Sequence, residues 1–132
     1  KNFKETPNSV LIGTDSFWEG VDVPGDDLKC VVIVKLPFKV PSEPIYQARA
    51  ERIEEEGSSA FFNYALPLSI IRFKQGFGRL IRSTYDEGVV VCLDKRLTTK
   101  SYGRHFIESL PNIPVIHSQK EDILYNIEKF FR

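Results

Sequence analysis

Four short runs of apolar residues recur along the chain, at 10–12, 30–34, 89–93 and 113–116, and none of them alternates with polar residues. An unbroken apolar run is typical of a strand that is buried on both faces, as in a parallel sheet covered by helices. The last run contains Pro114, which cannot donate a hydrogen bond to a neighbouring strand, so we expect an edge strand there.

The long segment between the second and third runs has the composition of two helices. Residues 43–56 are charged and favour a helix that ends at Gly57. Residues 59–82 form a second helical region, and Pro67 should break or kink it because proline lacks the backbone N–H that a helix interior needs.

Two further helices are predicted towards the end of the chain. One runs from about 99 to 110 and is followed by Pro111. Another begins at Ser118, where Glu121 three residues later gives a capping box. Its apolar face consists of Ile123, Ile127, Phe130 and Phe131. Because strands and helices alternate through most of the chain, the pattern predicts an α/β fold with right-handed crossovers.

The end of the second helical region separates polar from apolar side chains. At about 100° per residue, Gln75, Arg79 and Arg82 fall on one narrow stripe of the helix. The opposite face is apolar and carries Ile70, Phe73, Phe77 and Leu80. This spacing is that of a helix with one buried face.

Gly78 lies beside this stripe, inside a helical pattern where glycine should cost roughly 1 kcal/mol relative to alanine. The missing side chain would let another group approach the backbone closely. Because a guanidinium offers a rigid fork of donors suited to phosphate oxygens, the stripe indicates a phosphate-recognising helix. The alternative is a surface helix with solvated arginines and a close helix–helix contact at Gly78.

The segment between the first two apolar runs, residues 14–25, is too rich in glycine and too broken for a full helix. It directly follows a predicted strand, and open α/β sheets bind ligands at the carboxyl ends of their strands. Its threonine, serine, aspartate and glutamate side chains therefore make it a candidate site. The alternative is an ordinary long turn in which Trp18 fills part of the core.

Length and charge limit the function classes. The chain of 132 residues is long enough for one domain with a hydrophobic core. Its formal net charge is zero, so any binding of nucleic acid must come from a local basic patch. No apolar run approaches the roughly 18 residues of a membrane-spanning helix. Because the chain contains no methionine and starts with Lys1, we expect it to be a fragment of a longer protein.

The common catalytic motifs are absent from the sequence. Cys30 and Cys92 lie far apart in β-branched runs, so we expect buried strand residues of a reduced, cytoplasmic protein rather than a disulfide or a metal site. His105 and His117 are expected to be structural or exposed. There is no GxxxxGK[ST] phosphate loop. The chain has arginines suited to donate hydrogen bonds to phosphate, but it has no nucleophile, metal cluster or nucleotide loop. This combination is typical of one half of a site that two domains form together.

Two stretches together resemble motifs of superfamily two helicases. Residues 13–25, Gly-Thr-Asp-Ser-Phe-Trp-Glu-Gly-Val-Asp-Val-Pro-Gly, resemble motif V as it occurs in the DinG and XPD branch. Residues 75–82 resemble motif VI, with the pattern Q-x-x-G-R-x-x-R. Residues 36–38, residues 89–96 and the pair Tyr102-Gly103 are also similar to that branch. The order and spacing fit along nearly the whole chain.

The resemblance implies the second RecA-like motor domain of a DinG-type, ATP-dependent DNA helicase that acts in DNA repair or replication. The implied fold is a three-layer, P-loop NTPase-like α/β fold with a mainly parallel sheet. In that family ATP binds between two motor domains, and the first supplies the phosphate loop and the acidic Mg²⁺ motif. The implied partners are ATP, Mg²⁺ held by the first motor domain, that domain itself and single-stranded DNA, with no membrane.

The resemblance also implies a role for each matched residue. Arg79 and Arg82 would be an arginine-finger pair, which stabilises charge in the transition state of phosphoryl transfer, and Gln75 would orient them or the attacking water. Asp22 matches the motif V acid that approaches the nucleotide ribose. The full nucleotide-binding set is Glu19, Gly20, Asp22 and Gly78. The DNA-binding set is Thr14, Ser16 and Trp18.

The chain departs from the complete family pattern. The first motor domain, the iron–sulfur domain of many relatives and the motif IV strand are missing, and two cysteines cannot supply four thiolates. We therefore expect residues 1–132 to be a partial domain, truncated on its N-terminal side and with an exposed sheet edge. The alternatives are a regulatory nucleotide- or DNA-binding domain of a DinG-like nuclease without unwinding activity, and a nucleotide-sensing or assembly module.

Overall fold

Two parallel strands form the sheet in this computed structural model, which describes residues 5–14, 28–81 and 86–132. Strand β1 is Cys30–Ile33 and strand β2 is Val89–Cys92. They pair in register from Cys30 opposite Val89 to Ile33 opposite Cys92. Two of the four predicted strands are therefore confirmed, and so is their parallel pairing.

The helices lie between and after these strands. Helix α1 is Pro44–Glu55, a π-helical turn spans Phe61–Ala65, and helix α2 is Leu66–Leu80. After β2 come α3, Arg96–Thr99, and α4, Gly103–Glu108. A 3-10 turn, Lys120–Asp122, precedes α5, Ile123–Phe131.

The first two predicted helices are confirmed, and their ends have clear causes. Helix α1 is followed by Gly57, which has a φ of 85°, a left-handed conformation that glycine adopts without strain. Pro67 lies in the first turn of α2, directly after the π-helical turn. Ala65 and Leu66 keep right-handed helical dihedral angles, so the chain is not broken at Pro67, and the proline lies where the winding changes from π to α.

The helix predicted at 99–110 is present as α4 but is shorter, and the separate short helix α3 precedes it. Lys100 adopts an extended conformation, with φ −98° and ψ 143°, and ends α3. The turn then brings Gly103 against the backbone carbonyl groups of Arg96 and Leu97. That approach leaves no room for a side chain at position 103, and a continuous helix would separate these groups.

The strands predicted at 10–12 and 113–116 are also wrong. Val10 is 85% exposed, Ile12 is 89% exposed and Ile116 is 70% exposed. A strand needs a neighbour to pair its backbone groups, and neither run is paired as a strand within the described residues. An apolar run alone does not supply that neighbour.

The predicted capping box at Ser118 is not formed. Its hydroxyl donates to the carbonyl oxygen of Gln119 at 3.2 Å and accepts from Asn126 Nδ2 at 2.9 Å. The helical winding starts with the 3-10 turn at Lys120, and α5 begins at Ile123. Its apolar face is only partly covered: Phe130 and Phe131 are 51% and 45% exposed.

The core lies where α2 and α4 pack against β1. Its buried members are Ile33, Leu36, Leu66, Phe73 and Phe106. The ring of Phe106 is fully buried and stands edge-on to Phe73, with ring centres 5.3 Å apart, and to Phe38, at 5.9 Å. Edge-on aromatic pairs stabilise a fold by about 0.5–1.5 kcal/mol beyond their buried area. This packing fixes the orientation of α2 on the sheet.

Candidate nucleotide-facing helix

Helix α2 separates a buried face from a polar one, as the sequence predicts. Phe73, Phe77 and Leu80 are 2%, 7% and 4% exposed, and Ile70 is half-buried. The buried face follows from the 3.6-residue period, which brings apolar side chains three and four positions apart onto the sheet. The opposite side of the helix is therefore fixed towards the surface.

The structure places Gln75 and Arg79 together on that side. Gln75 is exposed and Arg79 is half-buried. Residues four apart are neighbours on a helix surface, so an amide and a guanidinium lie next to each other. Arg82 lies outside the described residues, and its place on the stripe stays a prediction.

Arg72 extends the same stripe, and the sequence motif missed it. It lies three residues before Gln75 and seven before Arg79, and it is half-buried. The helical period alone could have found it, but it falls outside the Q-x-x-G-R-x-x-R pattern. The polar side of α2 therefore carries two guanidinium groups within the described residues.

Gly78 leaves open space beside Arg79. A Cβ built on it would meet no atom within 4 Å in the described part of the chain. The close helix–helix contact at Gly78 that the alternative interpretation required is therefore absent from this part of the structure. Within the described residues, no side chain blocks the approach of another molecule or domain to the position of a Cβ at Gly78.

The candidate residues of motif V fall mostly outside the described ranges. Thr14 is described and exposed. The others, Ser16, Trp18, Glu19, Gly20 and Asp22, lie outside the described residues, and their roles stay predictions. The segment just before Thr14 is not a strand, so the expected position of this loop at a strand end is not formed here.

A second polar cluster lies at the carboxyl ends of β1 and β2. The Asp94 carboxylate accepts hydrogen bonds from the backbone N–H of Leu36 at 2.8 Å and from that of Arg96 at 3.0 Å. It also accepts from the Arg96 guanidinium, with a shortest distance of 2.6 Å. The Asp94 side chain is only 8% exposed. Hydrogen bonds from Arg96 lower the pKa of Asp94 from 3.8 to about 2, against the opposing effect of burial.

This cluster connects two segments that the sequence analysis noted separately. The Arg96 guanidinium lies 5.2 Å from the centre of the Phe38 ring, a distance at which a cation is attracted to an aromatic face. Residues 36–38 and 89–96 are thus held together by Asp94 and Arg96. The sequence feature that points to this cluster is an aspartate directly after an apolar run, followed two residues later by an arginine. The sequence alone does not predict that the aspartate contacts residue 36.

The cysteines and His105 lie in regular secondary structure, away from the polar side of α2. Cys30 and Cys92 lie in β1 and β2, as predicted, but they are half-buried rather than buried. Partial burial raises the pKa of both free thiols. His105 lies in α4 with its Nδ1 3.9 Å from a carboxylate oxygen of Glu108. Within residues 5–14, 28–81 and 86–132, no group of three metal-ligating side chains is close enough to hold a metal ion. Nor does any helix in these ranges have the length and apolarity to cross a membrane.

Comparison with known proteins identifies the family. Residues 1–113 match the family described as "Helicase C-terminal domain". The chain is 51% identical over 109 residues to the ATP-dependent DNA helicase YoaA of Haemophilus influenzae, which covers 83% of this chain and 17% of that protein. It is 46% identical over 114 residues to YoaA of Escherichia coli, covering 86% of this chain and 18% of that protein.

A relative with a different activity in its name is similar at the same level. The 3'-5' exonuclease DinG of Bacillus subtilis is 44% identical over 115 residues, which is 87% of this chain and 12% of that protein. The chain thus spans between 12% and 18% of the length of these three relatives. The motif VI helix and the match over residues 1–113 agree, and the chain belongs to the helicase C-terminal domain family.

Proposed function

We propose that residues 1–132 are part of the second RecA-like motor domain of a DinG-type, ATP-dependent DNA helicase. The observation that carries this proposal is the polar side of α2, where exposed Gln75 and half-buried Arg79 flank the open space at Gly78. The complete domain is proposed to be a three-layer RecA-like fold. The 51% identity to a protein named as an ATP-dependent DNA helicase supports the assignment.

In this proposal α2 faces an ATP site that is shared with the first motor domain of the same parent chain. The planar guanidinium of Arg79 donates to the oxygens of the transferring phosphoryl group, where negative charge spreads in the transition state. Arg82 completes the pair, and Gln75 orients the arginines or the attacking water. The open space at Gly78 lets the nucleotide, or the domain that holds it, come close to the helix backbone.

The donors on α2 fit a triphosphate, while the described residues offer no cluster of carboxylates that would fit a divalent cation. The resemblance to superfamily two helicases is the reason why we assign the Mg²⁺ ligands to the first motor domain. Mg²⁺ neutralises charge on the phosphate oxygens when it is bound. The proposed contribution of this chain is the placement of arginine donors.

Motif V completes the proposed site. Glu19, Gly20 and Asp22 are assigned to the nucleotide, and Thr14, Ser16 and Trp18 are assigned to single-stranded DNA. Their support is the match of residues 13–25 to the motif V pattern. The proposed location of the parent protein is the cytoplasm, where its DNA substrate and a reducing environment are found.

Affinity for a transition-state analogue tests the proposed role of Arg79. In the full-length parent, Arg79→Ala should weaken binding of ADP with aluminium fluoride by at least about tenfold, because an arginine finger acts on transition-state charge. Binding of a non-hydrolysable ATP analogue should change much less. Arg49→Ala, on the exposed surface of α1, is the matched control and should leave both affinities unchanged. Equal loss of affinity for both ligands would contradict the role.

A second candidate function has a specific observation in its favour. The Bacillus subtilis relative, 44% identical, is named as a 3'-5' exonuclease. In a parent of that kind this domain would bind nucleotide or DNA and regulate degradation without unwinding. Two assays on the parent protein distinguish the two candidate functions. If the parent unwinds a forked duplex and Arg79→Ala abolishes this unwinding, the helicase function is supported. ATP-independent degradation of single-stranded DNA without unwinding supports the nuclease.

A further inference from the structure

The amino end of β2 contacts the last turn of α2 through Gly88 and Leu80. A Cβ built on Gly88 would lie 2.6 Å from Leu80 Cδ1 and 2.8 Å from Leu80 Cδ2 and Cγ. Carbon atoms in contact normally lie about 3.5–4.0 Å apart. The Leu80 side chain therefore occupies the space that any larger residue at position 88 would need. Leu80 is 4% exposed, so it is buried at this contact.

Both sides of this contact are anchored. The residue after Gly88, Val89, donates its backbone N–H to the carbonyl oxygen of Lys29 at 3.0 Å, next to the first paired residue of β1. On the other side, the N–H of Ile81 bonds to the carbonyl oxygen of Phe77 at 3.2 Å and closes the last turn of α2. The contact thus joins the start of the sheet to the turn that carries Arg79.

We infer that Gly88 is a positioning residue for the arginines of α2. Because Gly88 has no side chain, Leu80 can pack against the start of β2. The position of Leu80 in turn sets the position of the preceding residue, Arg79. The inference rests on the proposed function, because it matters for turnover only if Arg79 acts on the nucleotide. A methyl group at position 88 displaces Leu80 by about 1 Å, the difference between the built distances and normal contact.

Turnover of the full-length parent tests the inference. A displacement of about 1 Å at a catalytic group can lower a rate by about 10²-fold. Gly88→Ala should therefore lower kcat for DNA-stimulated ATP hydrolysis by about 10- to 100-fold at temperatures well below its melting temperature. KM for ATP should change much less, because the arginine acts mainly in the transition state.

A compensating substitution separates positioning from general damage. Leu80→Ala removes Cγ, Cδ1 and Cδ2, which are the three atoms that the new methyl group would meet. In the Leu80→Ala background, Gly88→Ala should therefore have no further effect, and the double variant should have the kcat of Leu80→Ala alone. If Gly88→Ala fails to fold, kcat of the double variant is compared with kcat of Leu80→Ala alone. A kcat that is about tenfold lower in the double variant overturns the inference.

Gly103→Ala is the matched control, because its Cβ also collides, but with the backbone carbonyl oxygens of Leu97 and Arg96. It should lower the melting temperature and leave kcat of the folded protein unchanged. Wild-type kcat in Gly88→Ala, or a double variant whose kcat is about tenfold below that of Leu80→Ala, overturns the role of Gly88. Wild-type kcat in Arg79→Ala would overturn the proposed function instead, so the two failures are distinguishable.

Discussion

The carboxylate of Asp94 accepts a hydrogen bond from the backbone N–H of Leu36 at 2.8 Å, although the two residues are 58 positions apart. The bond ties the segment after β1 to the segment after β2 beyond the last paired residues of the sheet. Arg96 holds the same carboxylate through its side chain and its backbone. The ionised form of Asp94 is therefore stabilised by the fold, and the fold depends on that ionisation.

This relationship predicts the pH dependence of stability. The pKa of folded Asp94, about 2, lies below the unfolded value of 3.8, so its stabilisation is present above about pH 4 and is lost as the pH falls towards 2. The shift corresponds to about 2 kcal/mol. We expect Asp94→Asn to lower the melting temperature of the parent protein at pH 7 and to lower it only about half as much near pH 3. An equal loss at both pH values would show that the charge of Asp94 does not stabilise the fold.

Ser69 gives a prediction about the buried face of α2. Its side chain is 1% exposed, and its hydroxyl has no hydrogen-bond partner within the described residues. Burial of an unpaired hydroxyl costs about 1–3 kcal/mol, so Ser69→Ala should leave the protein equally stable or more stable. Thermal unfolding measures this, with the exposed Ser101→Ala as control. A large decrease in melting temperature would mean that the Ser69 hydroxyl is satisfied.

Gly78 should affect stability and turnover in opposite directions. Because a Cβ at this position has open space within the described residues, Gly78→Ala should stabilise α2 by up to about 1 kcal/mol through helix propensity. In the parent protein the same methyl group would intrude where the nucleotide or the first motor domain approaches, and ATPase turnover should fall. A variant with raised stability and unchanged turnover would remove Gly78 from the site.

The sequence predicted those features that depend on local periodicity. The buried face of Phe73, Phe77 and Leu80 follows from a 3.6-residue repeat, and β1 and β2 follow from β-branched runs. The runs at 10–12 and 113–116 look alike in sequence, but a strand also needs a neighbour, which a local pattern does not specify. The Asp94–Leu36 bond was missed for a related reason, because it depends on tertiary packing across 58 residues.

The candidate site divides in the same way. Gln75 and Arg79 lie together because a helix brings residues four apart onto one side. Arg72 belongs to the same side but not to the motif, so a search by motif overlooked it. The contact between Gly88 and Leu80 depends on how the end of α2 packs against the start of β2, which periodicity does not describe.

The central claim is that Arg79 acts on the transferring phosphoryl group and does not hold the fold together. The most direct test is kcat for DNA-stimulated ATP hydrolysis by the full-length parent carrying Arg79→Ala, measured beside its melting temperature. We expect kcat to fall by about 10³-fold or more, as for other arginine fingers, with the melting temperature within about 2 °C of the wild-type value. Wild-type turnover in this variant would contradict the account.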